Sequence, residues 1–274
     1  MERSLHLLAV PALDDIDFER RFGGVARLYG KQALARFQRS RVCVVGVGGV
    51  GSWVVEALAR SAIGHITMID LDNVAESNVN RQLHALSDTL GMAKVTALAQ
   101  RIALINPFCE VVQVEDFITE ENVGRMLDGG FDYVIDAIDD AAAKTALIAW
   151  CRAHRLPLVT IGSAGGQLDP TRIEIRDLAR TEQEPLLAKV RKRLRSKHGF
   201  PRGEKSRFGI DAVFSTEPLK YPESQSCDSA QAGIAGLNCA GFGSSVAVTA
   251  SFGFAAAARA LQQLASQGAD LPGN

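Results

Sequence analysis

The sequence predicts an α/β fold: a doubly wound, mostly parallel sheet carried as one domain, with a C-terminal antiparallel and helical elaboration. Three observations lead there. Short apolar, β-branched runs alternate with helix-length segments from residue 41 to residue 161. A glycine turn, Gly46-Val-Gly48-Gly49-Val-Gly51, joins the first run to the helical segment that follows. After Gly166 the alternation stops, and Thr171-Arg-Ile-Glu-Ile-Arg176 alternates strictly, as a strand with one wet face does.

Taken in order, Arg41-Val-Cys-Val-Val-Gly-Val reads as a strand buried on both faces. Ser52 to Ser61 has helical spacing, with Val54, Val55 and Leu58 on one side. His65-Ile-Thr-Met-Ile-Asp70 is the second strand, and Lys94 to Ile105 a helix stopped by Asn106-Pro107. Glu110 to Val114 is a third strand, Glu120 to Leu127 a short helix, and Phe131 to Asp136 a fourth strand. Ala141 to His154 is a helix and Leu158 to Ile161 a fifth strand. Right-handed crossovers between such strands give a Rossmann-like core. Beyond it, Pro185 to Lys197 reads as a basic helix, Phe208 to Ser215 as a strand, Tyr221 to Leu237 as loop, and Val246 to Leu264 as an alanine-rich closing helix. Residues 18–165 are thus the core and 166–274 the elaboration of a single domain.

Composition narrows the function classes. The 274 residues hold 30 Lys and Arg against 31 Asp and Glu, so the chain is no uniformly basic nucleic-acid coat. The five cysteines, Cys43, Cys109, Cys151, Cys227 and Cys239, form no C-x-x-C pair, which argues against a four-cysteine zinc site. Scattered thiols fit a reducing cytoplasm. The apolar stretch Leu5 to Leu13 contains His6 and runs into Asp14, Asp15 and Asp17, unlike a secretory signal. Residues 229–258 carry no charge, but their Gly, Ser and Thr content predicts a buried helix and loop rather than a membrane span.

Gly46, Gly48, Gly49 and Gly51 follow a strand and precede a helix, where backbone N–H groups can approach an anion. Asp70 ends the next strand, in position to accept hydrogen bonds from a ribose. These alone do not separate a nicotinamide dinucleotide from ATP. Asp72-Asn73, Ser77-Asn78-Val79-Asn80-Arg81-Gln82 and Lys94 add cations that hydride transfer does not require and a triphosphate does. Asp136-Ala-Ile-Asp139-Asp140 closes the fourth strand at the same sheet edge, where a carboxylate opposite phosphates would hold Mg²⁺. Taken singly, Lys94 would be a solvated helix-start residue and Asp140 an N-cap; the set together points to chemistry. Residues 189–207 carry nine Lys or Arg (Lys189, Arg191, Lys192, Arg193, Arg195, Lys197, Arg202, Lys205, Arg207) against Glu204. Such a run is a solvated face or a grip on RNA phosphates.

Gly46 to Gly51, Asp70-Leu-Asp72, Ser77 to Gln82, Lys94 and Asp136 to Asp139 resemble the ubiquitin-activating-enzyme-like superfamily of ThiF-type adenylyltransferases, over roughly residues 18–165. Arg21-Phe-Gly-Gly-Val-Ala-Arg-Leu-Tyr-Gly30, Asn80-Arg-Gln-Leu-His84, and Cys227 to Cys239 ahead of a Gly-Phe-Gly resemble the tRNA threonylcarbamoyladenosine dehydratases over nearly the whole chain. The resemblance implies a homodimer that spends ATP to dehydrate and cyclise the threonylcarbamoyl group of a tRNA adenosine beside the anticodon. By it, Asp70 binds the ribose, Asn78, Arg81 and Lys94 bind phosphates, and Asp139 binds Mg²⁺. The basic segment 189–207 would hold the anticodon arm, with no role for DNA and a cysteine desulfurase or sulfur acceptor as a partner by family association. The alternative is an adenylyltransferase that activates the C-terminus of a ubiquitin-like or sulfur-carrier protein; a third reading is a non-catalytic scaffold that binds NAD or RNA. Where the biosynthetic relatives place an arginine that reaches into the partner subunit, this chain has Gly24, with Arg21 and Arg27 nearby. Tyr221 and His84 are further candidates near the chemistry.

A carboxylate adenylated next to its own nucleophile needs no thiol to accept the acyl group. Cys227, beside Asp228, would also have its thiolate disfavoured. Cys227→Ala and Cys239→Ala are therefore expected to retain ATP-dependent cyclisation. Complete loss in either folded variant, read by nucleoside mass spectrometry, would assign the thiol a catalytic role.

Overall fold

The computed structural model describes residues 16–203, 205–221 and 242–266. Seven strands form one sheet in the order β3-β2-β1-β4-β5-β7-β6. They are β1 (Arg41–Val45), β2 (His65–Ile69), β3 (Glu110–Val114), β4 (Tyr133–Asp136), β5 (Leu158–Ile161), β6 (Ile173–Asp177) and β7 (Asp211–Ser215). All neighbours are parallel except β6, which runs antiparallel to β7. The chain winds from β1 outward to β3, then returns to β4 on the other side of β1. That reversal opens a crevice at the carboxyl ends of β1 and β4, where ligands of such sheets bind.

Side chains alternate across the sheet. Val42 and Val44 of β1 enter one apolar layer, and Cys43 and Val45 the other. Tyr133 and Ile135 of β4 likewise oppose Val134. The first layer is closed by α2 (Lys31–Phe37), α3 (Gly51–Arg60), α4 (Lys94–Ile105) and α8 (Val246–Ser266). The second is closed by α5 (Val123–Met126), α6 (Ala141–Ala153) and α7 (Pro185–Lys197). Both faces of a parallel sheet must be covered, because each carries apolar side chains. The C-terminal region is built into this core: β7 pairs β5, and α8 buries Val248, Phe252, Ala256, Ala260 and Leu264. Among the described residues no helix is long and apolar enough to cross a membrane. Residues 229–241 of the uncharged stretch, Cys227, Cys239 and the N-terminal apolar segment lie outside the described residues.

Three expectations are corrected. The helix expected over Glu120 to Leu127 spans only Val123–Met126, because Thr119 and Asn122 exchange side-chain-to-backbone hydrogen bonds that hold the preceding residues in a turn. The strand expected from Phe208 begins at Asp211, since the Phe208 and Gly209 N–H groups donate to Asp177 and Gly209 has φ +70°. Helices α1 (Phe18–Tyr29) and α2 were not expected at all. Their signals were present: the Asp17 carboxylate accepts from the Arg20 N–H as an N-cap, and Gly30, φ +92°, ends α1.

The glycine turn sets how β1 meets α3. Gly46 has φ +82°, and a Cβ there would sit 2.8 Å from the Ala137 carbonyl oxygen. A Cβ on Gly51 would lie 1.8 Å from the Gly46 oxygen. Gly51→Ala is expected to destabilise the fold by about 3 kcal/mol through overpacking against backbone, read as a fall in the thermal midpoint; an unchanged midpoint would show that the turn can open.

Candidate active site

A cavity of about 810 Å³ occupies the crevice between the carboxyl ends of β1 and β4. Gly46, Gly48, Gly49, Asp70, Asp72, Asn78, Arg81, Lys94 and Asp139 all line it. Of the residues expected to bind the nucleotide, Gly51 does not; it serves close packing beneath the turn.

Asp70 anchors the floor. Its carboxylate accepts from the Val47 N–H at 2.7 Å and the Asp72 N–H at 3.0 Å. Burial pushes its pKa up, and Lys94 and the two N–H donors pull it back. Lys94, expected to be exposed if it merely began a helix, is buried. Its ammonium lies 2.7 Å from Asp72 and 3.9 Å from Asp70. The lysine is thus held at the cavity wall by one exposed and one buried carboxylate, ready to exchange Asp72 for a more highly charged anion.

Arg81 crosses the glycine turn. Its stem lies 3.4 Å from where a Gly49 Cβ would stand, so the two pack in close contact. Its guanidinium donates to the Ser77 carbonyl at 2.7 Å and to Asn80 at 2.9 Å. Asn78 sits in a 3-10 turn over 76–78 and spends its side-chain oxygen on the Ala75 N–H, leaving its amide N–H₂ as the group available to a phosphate. Gln82 packs over Gly48 with a buried Oε1 that finds no partner among the described residues.

The three acids at the end of β4 and just beyond it have three different fates. Asp136 is fully buried, 2.9 Å from the Lys144 ammonium and accepting from Thr160 at 2.7 Å. Burial pushes its pKa up against those contacts. Asp140 caps α6, accepting from the Ala142 and Ala143 N–H groups. Asp139 is exposed and lines the cavity. One presented carboxylate beside a phosphate pocket suits Mg²⁺, which takes few protein ligands. Among the described residues no group of three His, Cys, Asp or Glu is placed to form a metal cage.

Several cavity residues carried no signal in the sequence: Phe117 and Thr119 after β3, and Ser163 after β5. The basic helix was foreseen, but not that its Arg193 and Lys197 line this cavity. Arg191, Arg193 and Arg195 have different surroundings, and of the three only Arg193 lines the cavity. Arg191 is half-buried and donates to Thr181, and Arg195 lies 5.3 Å over the Phe208 ring. Arg21 donates to the Ile105 carbonyl and Arg27 folds along Gly23 and Gly24; neither lines the cavity of this chain. Tyr221 is also outside it, packed against Phe242, which does line it.

A glycine turn, an acid at the ribose position, two phosphate-side cations and the exposed Asp139 carboxylate, at the switch point of a doubly wound sheet, define a nucleotide-binding α/β protein suited to a polyphosphate. The chain belongs to the ThiF family, whose model matches residues 22–270. It is 51% identical to the tRNA threonylcarbamoyladenosine dehydratase of Escherichia coli (strain K12) over 92% of this chain and 96% of that one. It is 50% identical to the Haemophilus influenzae protein of the same name, over 90% and 94%. The crystal structure of the E. coli dehydratase in complex with ATP superposes with a TM-score of 0.83 at 50% identity, covering 92% of this chain and 96% of that chain.

His84, 2% exposed, touches this site through Lys94, whose charge adds to burial in lowering the imidazole pKa from 6.5 to about 4. Neither ring nitrogen has a partner among the described residues. Between those two values the unfolded chain binds a proton that the folded chain refuses, so stability falls as pH drops from about 6.5 toward 4. His84→Leu is expected to remove up to about 3 kcal/mol of that pH dependence. Chemical denaturation at pH 7 and pH 4.5 measures it, and an unchanged slope would place the acid sensitivity elsewhere.

Proposed function

We propose that this protein is an ATP-dependent tRNA threonylcarbamoyladenosine dehydratase, which activates the substrate carboxylate as an adenylate and lets it cyclise. The observation that carries this reading is the convergence of Gly46 to Gly49, Asp70, Arg81, Lys94 and Asp139 on one cavity. Its likeness to dehydratases over nearly their full length gives the substrate class.

A free carboxylate resists substitution because its leaving group would be oxide. Its oxygen attacks the α-phosphorus of ATP, the bond to the β-phosphate oxygen breaks, and pyrophosphate leaves. Arg81 and Lys94 are the groups to stabilise charge moving onto pyrophosphate, and Asp70 the group to orient the ribose. The glycine-turn N–H groups face the same anion. Asp139 would hold Mg²⁺, which when bound neutralises phosphate charge. The acyl-adenylate then loses AMP as the substrate's own nucleophile closes a five-membered ring. Intramolecular closures of this kind reach effective molarities of about 10⁵ M or more, so no covalent enzyme nucleophile is needed. The basic segment 189–207 supplies the field for an RNA substrate. A homodimer belongs to the same proposal: Phe254, 45% exposed, meets Trp53 edge-on, and Trp53 donates to the Arg81 carbonyl, so an interface there would adjoin the site.

Incubating the purified protein with ATP and threonylcarbamoyl-modified tRNA is expected to yield the cyclised nucleoside with AMP and pyrophosphate, read by mass spectrometry. Asp139→Asn and Lys94→Ala are each expected to lower turnover by about 10²-fold or more. Pyrophosphate exchange driven by a carrier protein but not by tRNA would instead establish the carrier-activating reading.

A further inference from the structure

We infer that Arg193 and Lys197 of α7 are the substrate-side cations of this cavity and bind an oxyanion of the RNA nucleotide being modified. The inference rests on the function proposed above and adds residues to it.

Helix α7 is held at its start and along one face. Glu184 is buried at the start of the helix, and one carboxylate oxygen accepts from the Leu187 N–H as an N-cap. The other accepts from the Ser163 N–H at 2.9 Å, and Ser163 lines the cavity just after β5. A Cβ on Gly162 would fall 2.9 Å from Glu184 Cγ, so the contact is tight. Leu187, Val190 and Leu194 lock the adjoining face of the helix into the apolar layer with α6. A helix pinned at its start and along one face has no freedom to turn. Arg193 and Lys197, one turn apart, therefore share a fixed face toward the cavity.

Their lack of protein partners is the second observation. Arg176 pairs with Glu174 and Glu182, Arg259 with Asp211, and Lys144 with Asp136. Arg81 and Lys94 are tied at the cavity wall. Neither Arg193 nor Lys197 makes an ion pair or a side-chain hydrogen bond among the described residues. Two like charges on one wall of a cavity, paired with none of the carboxylates that also line it, among them Glu120, Glu121 and Asp139, form a receptor for an anion.

Topology assigns that anion. Asp70 lies beyond β1 on the β2 side of the crevice, so the nucleoside end of ATP belongs there. Helix α7 is anchored to the loop after β5, beyond β4 on the opposite side. An anion at Arg193 and Lys197 therefore comes from the second substrate. Two groups of that substrate share the required chemistry: the carboxylate to be adenylated and a phosphate flanking the modified base.

The test uses the full chain with Arg193→Gln, Lys197→Gln and the double variant, and compares them with Lys189→Gln/Lys192→Gln on the same helix outside the cavity. ATP affinity by calorimetry is expected to stay within about twofold of wild type in all of them, which also reports an intact fold. The cavity variants are expected to lower kcat/KM for modified tRNA by about tenfold or more, with Arg193→Lys restoring part of it. The outer pair is expected mainly to flatten the salt dependence of tRNA binding, by about 0.7–0.9 per lost contact. If the free threonylcarbamoyl nucleoside suffers the same loss in the cavity variants, the anion is the carboxylate; if only tRNA does, it is a phosphate. A double variant with wild-type kcat/KM, or one that loses ATP binding, overturns the inference. A wild-type protein that binds ATP but leaves tRNA unmodified overturns the functional reading and this inference with it.

Discussion

The close approach of Gly51 to the Gly46 carbonyl is the constraint on which the site depends. With 1.8 Å between that oxygen and any added Cβ, the turn closes only without side chains. The closure brings the start of α3 to the sheet edge beside β4, because Ala137 packs against the same two glycines. The Val47 N–H then donates to Asp70 at the edge of the crevice. Loosening this contact would disturb the phosphate side and the ribose side together.

A second, electrostatic tie organises the other wall. Asp136, Lys144 and Thr160 form a fully buried polar cluster joining β4, α6 and β5. The Asp136 carboxylate also accepts from the Ile138 N–H, which shapes the loop that presents Asp139. Lys144 reaches Glu184 electrostatically, and Glu184 holds both Ser163 and the start of α7. Such buried charges are costly to place in an apolar layer, and their remaining lone pairs and protons must be satisfied for the cluster to hold. Here every carboxylate oxygen of Asp136 and Glu184 has a donor. One connected network thus runs beneath the loop that carries Asp139 and the helix that carries Arg193 and Lys197.

The two halves of the cavity differ in how they hold charge. On the glycine side the cations are already engaged by protein groups, Lys94 by the Asp72 carboxylate and Arg81 by the uncharged oxygens of Ser77 and Asn80. Binding a nucleotide there is an exchange of partners, which limits the cost of keeping the empty site ordered. On the α7 side the cations stand without partners among the described residues and act over distance. A small, highly charged nucleotide suits the first arrangement, and a large RNA polyanion suits the second.

Much of this was legible in residue order. Lys94–Ile105, Glu110–Val114, Leu158–Ile161 and Pro185–Lys197 fall where pattern and punctuation placed them, since Pro107, Pro185 and the β-branched runs act within a few residues of themselves. The glycine turn, Asp70, Lys94 and Asp139 could be singled out because a strand–turn–helix unit fixes its own edge. Other features were decided only by tertiary structure. The sequence shows that α7 is basic and amphipathic, but its cations face the cavity only because Glu184 meets Ser163 across 21 positions of chain. It shows three acids at the end of β4 and just beyond it, but only packing assigns Asp136 to Lys144, Asp140 to a helix cap and Asp139 to the cavity. Local propensity acts through neighbours along the backbone, whereas burial and charge pairing depend on segments the backbone keeps far apart.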